Sequence, residues 1–259
     1  MNLHVVDRGS GPVLLLLHGF PLDHTMWNAQ IEALSATHRV IAPDLRGFGR
    51  SSVTRGTVTM SMMADDLAGL LDAIGVDEPV CLCGLSMGGY VAWEMLRHHA
   101  DRVGSLVLCD TRAVADTEEA VTGRMAMAAR VLTDGTTPVV EAMLPKLFSP
   151  ATEERCPELV DTVKRTIFFT SPVAIAAAQQ GMARRTDATF LFNQITVPTL
   201  VVVGEHDSIS TVDEMRGIAQ QIPGARLVIV PDAGHLSPLE NPAAVSAALK
   251  DFLGEAGQS

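Results

Sequence analysis

Three residues of this chain have side chains that together can move a proton and attack a carbonyl: Ser86, Asp207 and His235. A serine hydroxyl is a weak nucleophile near neutral pH, so it needs a base within hydrogen-bond reach and a carboxylate that orients that base. Ser86 lies in Gly84-Leu85-Ser86-Met87-Gly88, where a short apolar run meets a pattern of helical spacing. This G-x-S-x-G spacing predicts a tight strand-to-helix turn that exposes the serine hydroxyl at the edge of a sheet.

The base and the acid are expected to come from two later loops. His235 and Asp207 each follow a short apolar run of strand length. Because the carboxyl ends of parallel strands meet at one edge of a sheet, we expect both side chains to lie beside Ser86. Two other carboxyl groups are alternative acids: Glu205, two residues before Asp207, and Asp110, which ends an earlier predicted strand.

Two backbone N–H groups are predicted to stabilise the oxyanion that forms when a carbonyl is attacked. The Met87 N–H begins a predicted helix, whose N-terminus favours negative charge. The Phe20 N–H lies in the loop after the apolar run 13–17, where the second donor is expected. The Phe20 side chain either lines the acyl pocket or packs in the core, and His18 is expected to brace this loop.

Strand and helix patterns alternate through most of the sequence. Strands are predicted at 2–7, 13–17, 39–42, 79–84, 104–109, 198–203 and 226–230. Helices are predicted at 25–35, 59–74, 87–98, 211–222 and 241–253. This order predicts an α/β fold with a mostly parallel central sheet and helices on both faces.

One long segment interrupts the alternation. Residues 112–190 are rich in Ala, Met and Thr, are punctuated by prolines, and show no convincing strand pattern. We therefore predict a helical cap over 112–190, inserted into a core that residues 1–111 and 191–259 form together.

Composition and charge exclude several other classes of protein. The formal net charge is −11, which argues against a nucleic-acid partner because such surfaces need clustered Lys and Arg. No leader pattern or membrane-length apolar run is found, so we expect a cytoplasmic protein without a membrane partner. The cysteines have the spacing of reduced thiols rather than of a disulfide framework. No metal-ligand or nucleotide-binding motif occurs, so neither a metal nor a cofactor is predicted.

With these residues in hand, the chain resembles the α/β-hydrolase superfamily over nearly its full length. The resemblance rests on 18–19, 44–49, 84–89, 204–207 and 234–235. The stretches 18–27 and 106–111 are most similar to small bacterial carboxylesterases, including thermophilic ones, and to 3-oxoadipate enol-lactonases. The resemblance implies the α/β-hydrolase fold and a triad in the order Ser, Asp, His. Superfamily members that open epoxides or remove halogens carry an aspartate at the position of Ser86, which disfavours those reactions here.

These residues predict a carboxylesterase that takes small, short-acyl esters and forms an acyl-enzyme on Ser86. An enol-lactonase would use the same machinery but needs a cation for the free carboxylate of its substrate. The candidate cations of the cap are Arg112, Arg124, Arg130, Lys146 and Arg184. An alternative from another class is a ligand-binding protein or receptor that keeps the fold and the triad but turns over slowly.

Overall fold

The computed structural model describes residues 2–256, apart from the side chains of residues 153 and 256. Within these residues seven strands form one sheet: β1 (Val5–Arg8), β2 (Val13–Leu17), β3 (Arg39–Pro43), β4 (Val80–Leu85), β5 (Val103–Cys109), β6 (Thr199–Gly204) and β7 (Arg226–Val230). Their order across the sheet is β1-β3-β2-β4-β5-β6-β7. The first strand is antiparallel to β3, and every other neighbouring pair is parallel. The carboxyl ends of β2 to β7 therefore lie along one edge of the sheet.

Helices cover both faces of this sheet. In the described part of the chain they are α1 (Asn28–Leu34), α2 (Met60–Ala73), α3 (Met87–His98), α4 (Glu118–Asp134), α5 (Thr137–Leu147), α6 (Thr152–Arg155), α7 (Pro157–Phe169), α8 (Pro172–Met182), α9 (Val212–Gln221), α10 (Ser237–Glu240) and α11 (Pro242–Ala256). The α1 helix packs against α11, and α2 packs against α3. Among the described residues, no helix combines the length and the apolar character that a membrane span requires.

The central strands are buried on both sides. All residues of β4 are buried, and so are all residues of β2 after Val13. A strand that helices cover on both faces has no solvent side, so its sequence shows a continuous apolar run instead of alternation. The edge strand β7 is largely half-buried, as expected for a strand with one unpaired side.

The chain between β5 and β6 folds as α4 to α8, and within its described residues it forms no strand. We refer to residues 112–190 as the cap. The α4 helix packs along α8, and α5 packs against both α4 and α7. Thr170 Oγ1 donates a hydrogen bond to the Pro21 carbonyl at 3.0 Å, and the Val58 N–H donates to the Ala177 carbonyl at 3.1 Å. The cap therefore contacts the loops at the carboxyl edge of the sheet.

The fold class predicted from the sequence is confirmed, with differences at the ends of elements. The first strand is Val5–Arg8 rather than 2–7, and it pairs with β3. The predicted helix at 25–35 divides into a 3-10 turn at His24–Trp27 and α1. The short helix α10 was not predicted, because one turn is too short to show a helical period.

The close approach of strand and helix around Ser86 leads to a stability prediction. A Cβ added at Gly88 would lie 2.4 Å from the Leu17 carbonyl oxygen, which the paired strand β2 holds in place. We expect Gly88→Ala to lower the free energy of unfolding by about 1–3 kcal/mol. Gly69 is the matched control, since it lies exposed in α2 with open space around it.

Gly69→Ala should raise the free energy of unfolding by about 0.5–1 kcal/mol, because alanine has the higher helix propensity. Urea unfolding of both variants, followed by far-UV circular dichroism, measures the two effects. Changes of the same sign in the two variants would contradict the steric explanation.

Candidate active site

Ser86 joins β4 to α3 in a strained backbone conformation. Its φ of 52° and ψ of −111° lie in a region that residues with a side chain rarely adopt. Two hydrogen bonds to the end of β5 and the residues after it hold Ser86 there. The Ser86 N–H donates to the Cys109 carbonyl at 3.0 Å, and Thr111 Oγ1 donates to the Ser86 carbonyl at 2.8 Å. This is the sharp strand-to-helix turn that the G-x-S-x-G spacing predicts.

The structure brings Ser86, His235 and Asp207 into one hydrogen-bonded chain. His235 Nε2 lies 2.9 Å from Ser86 Oγ, and His235 Nδ1 lies 2.8 Å from Asp207 Oδ2. His235 is 3% exposed and Asp207 is 5% exposed. The other carboxylate oxygen, Asp207 Oδ1, accepts from the N–H groups of Ile209 at 2.7 Å and Ser210 at 3.0 Å. Asp207 thus receives Nδ1–H, which leaves Nε2 free to accept the Ser86 proton.

Asp110, one of the two alternative acids, has other partners. It is fully buried, and its carboxyl accepts from the Gly204 N–H at 2.7 Å and from Ser237 Oγ at 2.5 Å. Burial, together with the negative charge of Asp207, raises the pKa of Asp110 well above its usual value. Asp110 therefore joins the end of β6 to the segment after His235, while the imidazole itself is bonded to Asp207.

Glu205, the other alternative acid, lies at the surface of the loop after β6. Its carboxylate accepts a hydrogen bond from the Asp232 N–H at 3.2 Å, and its own N–H donates to the Val230 carbonyl at 2.9 Å. Glu205 therefore helps to hold together the two loops that carry Asp207 and His235.

The loop after β2 lies beside Ser86. A Cβ placed on Gly19, the residue before Phe20, would be 3.5 Å from the Ser86 Cβ. Met87, the second predicted oxyanion donor, is the first residue of α3. The Phe20 ring is 7% exposed and meets the Phe48 ring edge-on at 6.0 Å, which is a core contact. Gly19, which precedes Phe20, thus lies beside the serine in space, and Met87 follows the serine in sequence.

His18 connects this loop to the segment after β3. Its Nε2 accepts from the Leu45 N–H at 2.9 Å, and its Nδ1 lies 3.0 Å from the Gly19 carbonyl. The proton consequently belongs on Nδ1, because Nε2 faces a donor and Nδ1 faces an acceptor. Burial lowers the pKa of His18, which favours this neutral form. With both ring nitrogens bonded, the imidazole holds the loop and is not placed to shuttle protons.

One group of potential metal ligands lies apart from the triad and comprises His4, His24 and Asp44. The buried carboxylate of Asp44 accepts from the His24 N–H at 2.9 Å, from His24 Nδ1 at 2.6 Å and from the Arg50 N–H at 2.8 Å. The hydrogen bond that His24 donates to Asp44 raises the pKa of His24. We interpret this group as an ion pair that closes the loop 44–50, because its carboxylate is already used by three donors.

Most of the candidate cations of the cap are paired with carboxylates of the chain. The pairs are Arg112 with Glu214, Arg124 with Asp116 at 2.5 Å, and Arg130 with Asp134 at 3.1 Å. Lys146 and Arg184 lie exposed. Asp116 also binds Arg185, at 2.6 Å, a buried guanidinium that lies over the Tyr90 ring. These pairs place three of the five candidate charges in contacts within the protein.

Three residues that sequence reasoning did not single out complete the site. Thr111 donates a hydrogen bond to the Ser86 carbonyl. Near His235, Ser237 donates to the Asp110 carboxyl, and Glu240 accepts from the Gly234 N–H. Their only sequence signal is proximity, since each follows a candidate residue within a few positions. Neither helical nor strand periodicity applies to such short loops.

The chain matches known proteins over most of its length. A family model described as alpha/beta hydrolase fold matches residues 12–242. The structure of a thermophilic esterase from Thermogutta terrifontis, with malate bound, is 46% identical, covers 98% of this chain and 93% of that chain, and has a TM-score of 0.97. The enol-lactonase from Burkholderia xenovorans LB400 is 32% identical, with 97% and 96% covered and a TM-score of 0.90. The 3-oxoadipate enol-lactonase 1 of Acinetobacter baylyi is 28% identical over 242 residues, which are 93% of this chain and 88% of that protein.

Proposed function

The chain belongs to the alpha/beta hydrolase family, and we propose that it is a carboxylesterase that hydrolyses small, short-acyl esters through a covalent intermediate on Ser86. The observation that carries this proposal is the hydrogen-bonded chain from Asp207 through His235 to Ser86, with distances of 2.8 and 2.9 Å. The similarity to a thermophilic esterase over nearly the whole chain supports it.

The proposed reaction has two halves. His235 Nε2 takes the Ser86 proton while Oγ attacks the ester carbonyl, and the N–H groups of Phe20 and Met87 stabilise the oxyanion. The imidazolium, stabilised by Asp207, then gives its proton to the leaving alcohol. Water attacks the acyl-enzyme with His235 again as base, which releases the carboxylic acid and restores the serine.

The contacts between the cap and the core favour small substrates. Ser86 is half-buried, and the cap contacts the loop after β2 at Pro21 and the loop after β7 at Gly234. We infer from these two contacts that the cap restricts the length of the acyl chain that can reach Ser86. We therefore place short-chain esters ahead of lipids as substrates.

A second candidate function is the hydrolysis of an enol-lactone, which the similarity to two enol-lactonases favours. Such a substrate brings a free carboxylate, and that charge needs a cation. Arg112, Arg124 and Arg130 already pair with carboxylates of the chain, and Lys146 and Arg184 lie exposed at the surface, so we place the neutral ester first.

The test compares p-nitrophenyl esters from acetate to laurate with 3-oxoadipate enol-lactone on the purified protein. We expect kcat/KM to peak at acetate or butyrate and to fall by about tenfold or more by octanoate, because a closed pocket excludes extra methylenes. A lactone rate far above every ester rate would establish the second candidate instead. Negligible turnover together with tight ligand binding would favour a receptor.

A further inference from the structure

Glu240 connects the cap to the loop that carries His235. It ends the short helix α10, five residues after the histidine, and its side chain is half-buried. Glu240 Oε1 accepts from the Gly234 N–H at 2.8 Å. Glu240 Oε2 accepts from the Ser149 N–H at 2.7 Å and from Thr152 Oγ1 at 2.6 Å. One carboxylate therefore bonds the residue before the histidine and two residues of the cap.

The cap segment 147–152 lies directly against the backbone of this loop. A Cβ added at Gly234 would be 2.6 Å from the Ser149 nitrogen. Ser149 Oγ donates to the Asp232 carbonyl at 2.9 Å, and the Leu236 N–H donates to the Leu147 carbonyl at 3.2 Å. The cap segment thus contacts the loop on both sides of His235.

These contacts bear on catalysis because His235 must stay within hydrogen-bond reach of two partners at once. Its distances to Ser86 Oγ and Asp207 Oδ2 are 2.9 and 2.8 Å, and a shift of the loop lengthens both. An ionised acceptor with three donors makes charge-assisted bonds, which are shorter and stronger than neutral ones. Glu240 makes two such bonds with the cap segment and one with the loop.

We propose that Glu240 is a positioning residue for the hydrolytic reaction: by bonding the cap segment 147–152 to Gly234, it keeps His235 aligned between Ser86 and Asp207. This inference rests on the proposed function, because it assigns to Glu240 a role in activating the same serine. In this proposal, movement of the cap segment away from the loop also moves His235 out of alignment with Ser86 and Asp207.

Glu240→Gln breaks the contact with the loop of His235 selectively. Two donors meet at Oε2, so the amide oxygen of glutamine is held there and its NH₂ group faces the Gly234 N–H. We expect kcat to fall by about tenfold in Glu240→Gln and by about 10²-fold in Glu240→Ala, with KM changed much less. The rate at which a fluorophosphonate labels Ser86 should fall in parallel, because labelling needs the aligned base but no acyl pocket.

Thr152→Val and Arg155→Ala complete the design. Thr152→Val keeps the side-chain shape but removes the donor to Oε2, so we expect a fall of about threefold in kcat that disappears in the Glu240→Gln background. Arg155 lies three residues after the cap segment and joins the cap to the same loop through an exposed ion pair with Asp232 at 3.3 Å. Arg155→Ala is the matched control and should change kcat by less than about twofold.

The outcomes separate this inference from the proposed function. If the Glu240 and Thr152 variants lower only the melting temperature and keep wild-type kcat and labelling rates at 25 °C, Glu240 is structural and the inference is overturned. Additive effects of Thr152→Val and Glu240→Gln also overturn it. If Ser86→Ala keeps wild-type esterase activity, the proposed function fails first and the inference falls with it.

Discussion

Replacing Ser86 with alanine is expected to lower kcat for ester hydrolysis by about 10⁶-fold, while substrate binding is largely kept. The variant has no nucleophile, so no acyl-enzyme forms, and His235 has no hydroxyl proton to take. The proposed oxyanion donors and the cap remain, and we expect them to leave a residual rate of about 10³–10⁴-fold over the reaction in water. Steady-state hydrolysis of p-nitrophenyl butyrate measures the loss.

Ser52→Ala is the matched control for this substitution. Ser52 is exposed, its N–H donates to the Asn2 carbonyl, and its carbonyl accepts from the Gly47 N–H. The control should keep wild-type activity and bind one fluorophosphonate per chain by intact mass. Labelling of the Ser86→Ala protein at the wild-type rate would show that another residue is the nucleophile.

Asp207→Asn is expected to lower kcat by about 10⁴-fold without unfolding the protein. The N–H groups of Ile209 and Ser210 donate to Asp207 Oδ1, so they hold the amide oxygen of asparagine at that position. The NH₂ group then faces His235 Nδ1 and drives the proton to Nε2, which is the wrong tautomer for a base. Activity against p-nitrophenyl butyrate and an unchanged circular dichroism spectrum check this prediction together.

Asp110→Asn discriminates between the two acids. Because the pKa of Asp110 is raised, the carboxyl favours its neutral form. The amide oxygen of asparagine can accept from the Gly204 N–H, and its NH₂ group can donate to Ser237 Oγ once the serine hydroxyl has rotated away. We expect kcat within about threefold of wild type. A large loss in Asp110→Asn with a small loss in Asp207→Asn would reverse the assignment of the acid.

The same substitution carries a pH dependence whose sign follows from proton linkage. A carboxyl whose pKa is higher in the folded than in the unfolded chain favours folding at low pH, and that contribution is lost as pH rises through the window between the two pKa values. Asp110→Asn has no proton to lose. Its stability relative to wild type should therefore increase with pH across that window and then stay constant, as urea unfolding at a series of pH values measures.

Local sequence alone determined the fold class and the candidate triad. Ser86 lies in a motif whose glycines are needed for the turn itself. Ser86 and Asp207 follow strands whose apolar runs are continuous because both faces are buried, and His235 follows the half-buried edge strand β7, whose run of apolar residues is also short. Each of these signals is contained in fewer than about ten adjacent residues, and parallel strand geometry then brings the three loops to one edge.

The tertiary structure alone decided which partners these residues have. His235 bonds Asp207 rather than Asp110, and Glu240 bonds Ser149, a residue 91 positions away in the cap. The pairing of β1 with β3 is a choice of the same kind. Such contacts leave no periodicity in the sequence, because they depend on the packing of elements that are distant in the chain and on donors that meet only when the cap lies on the core.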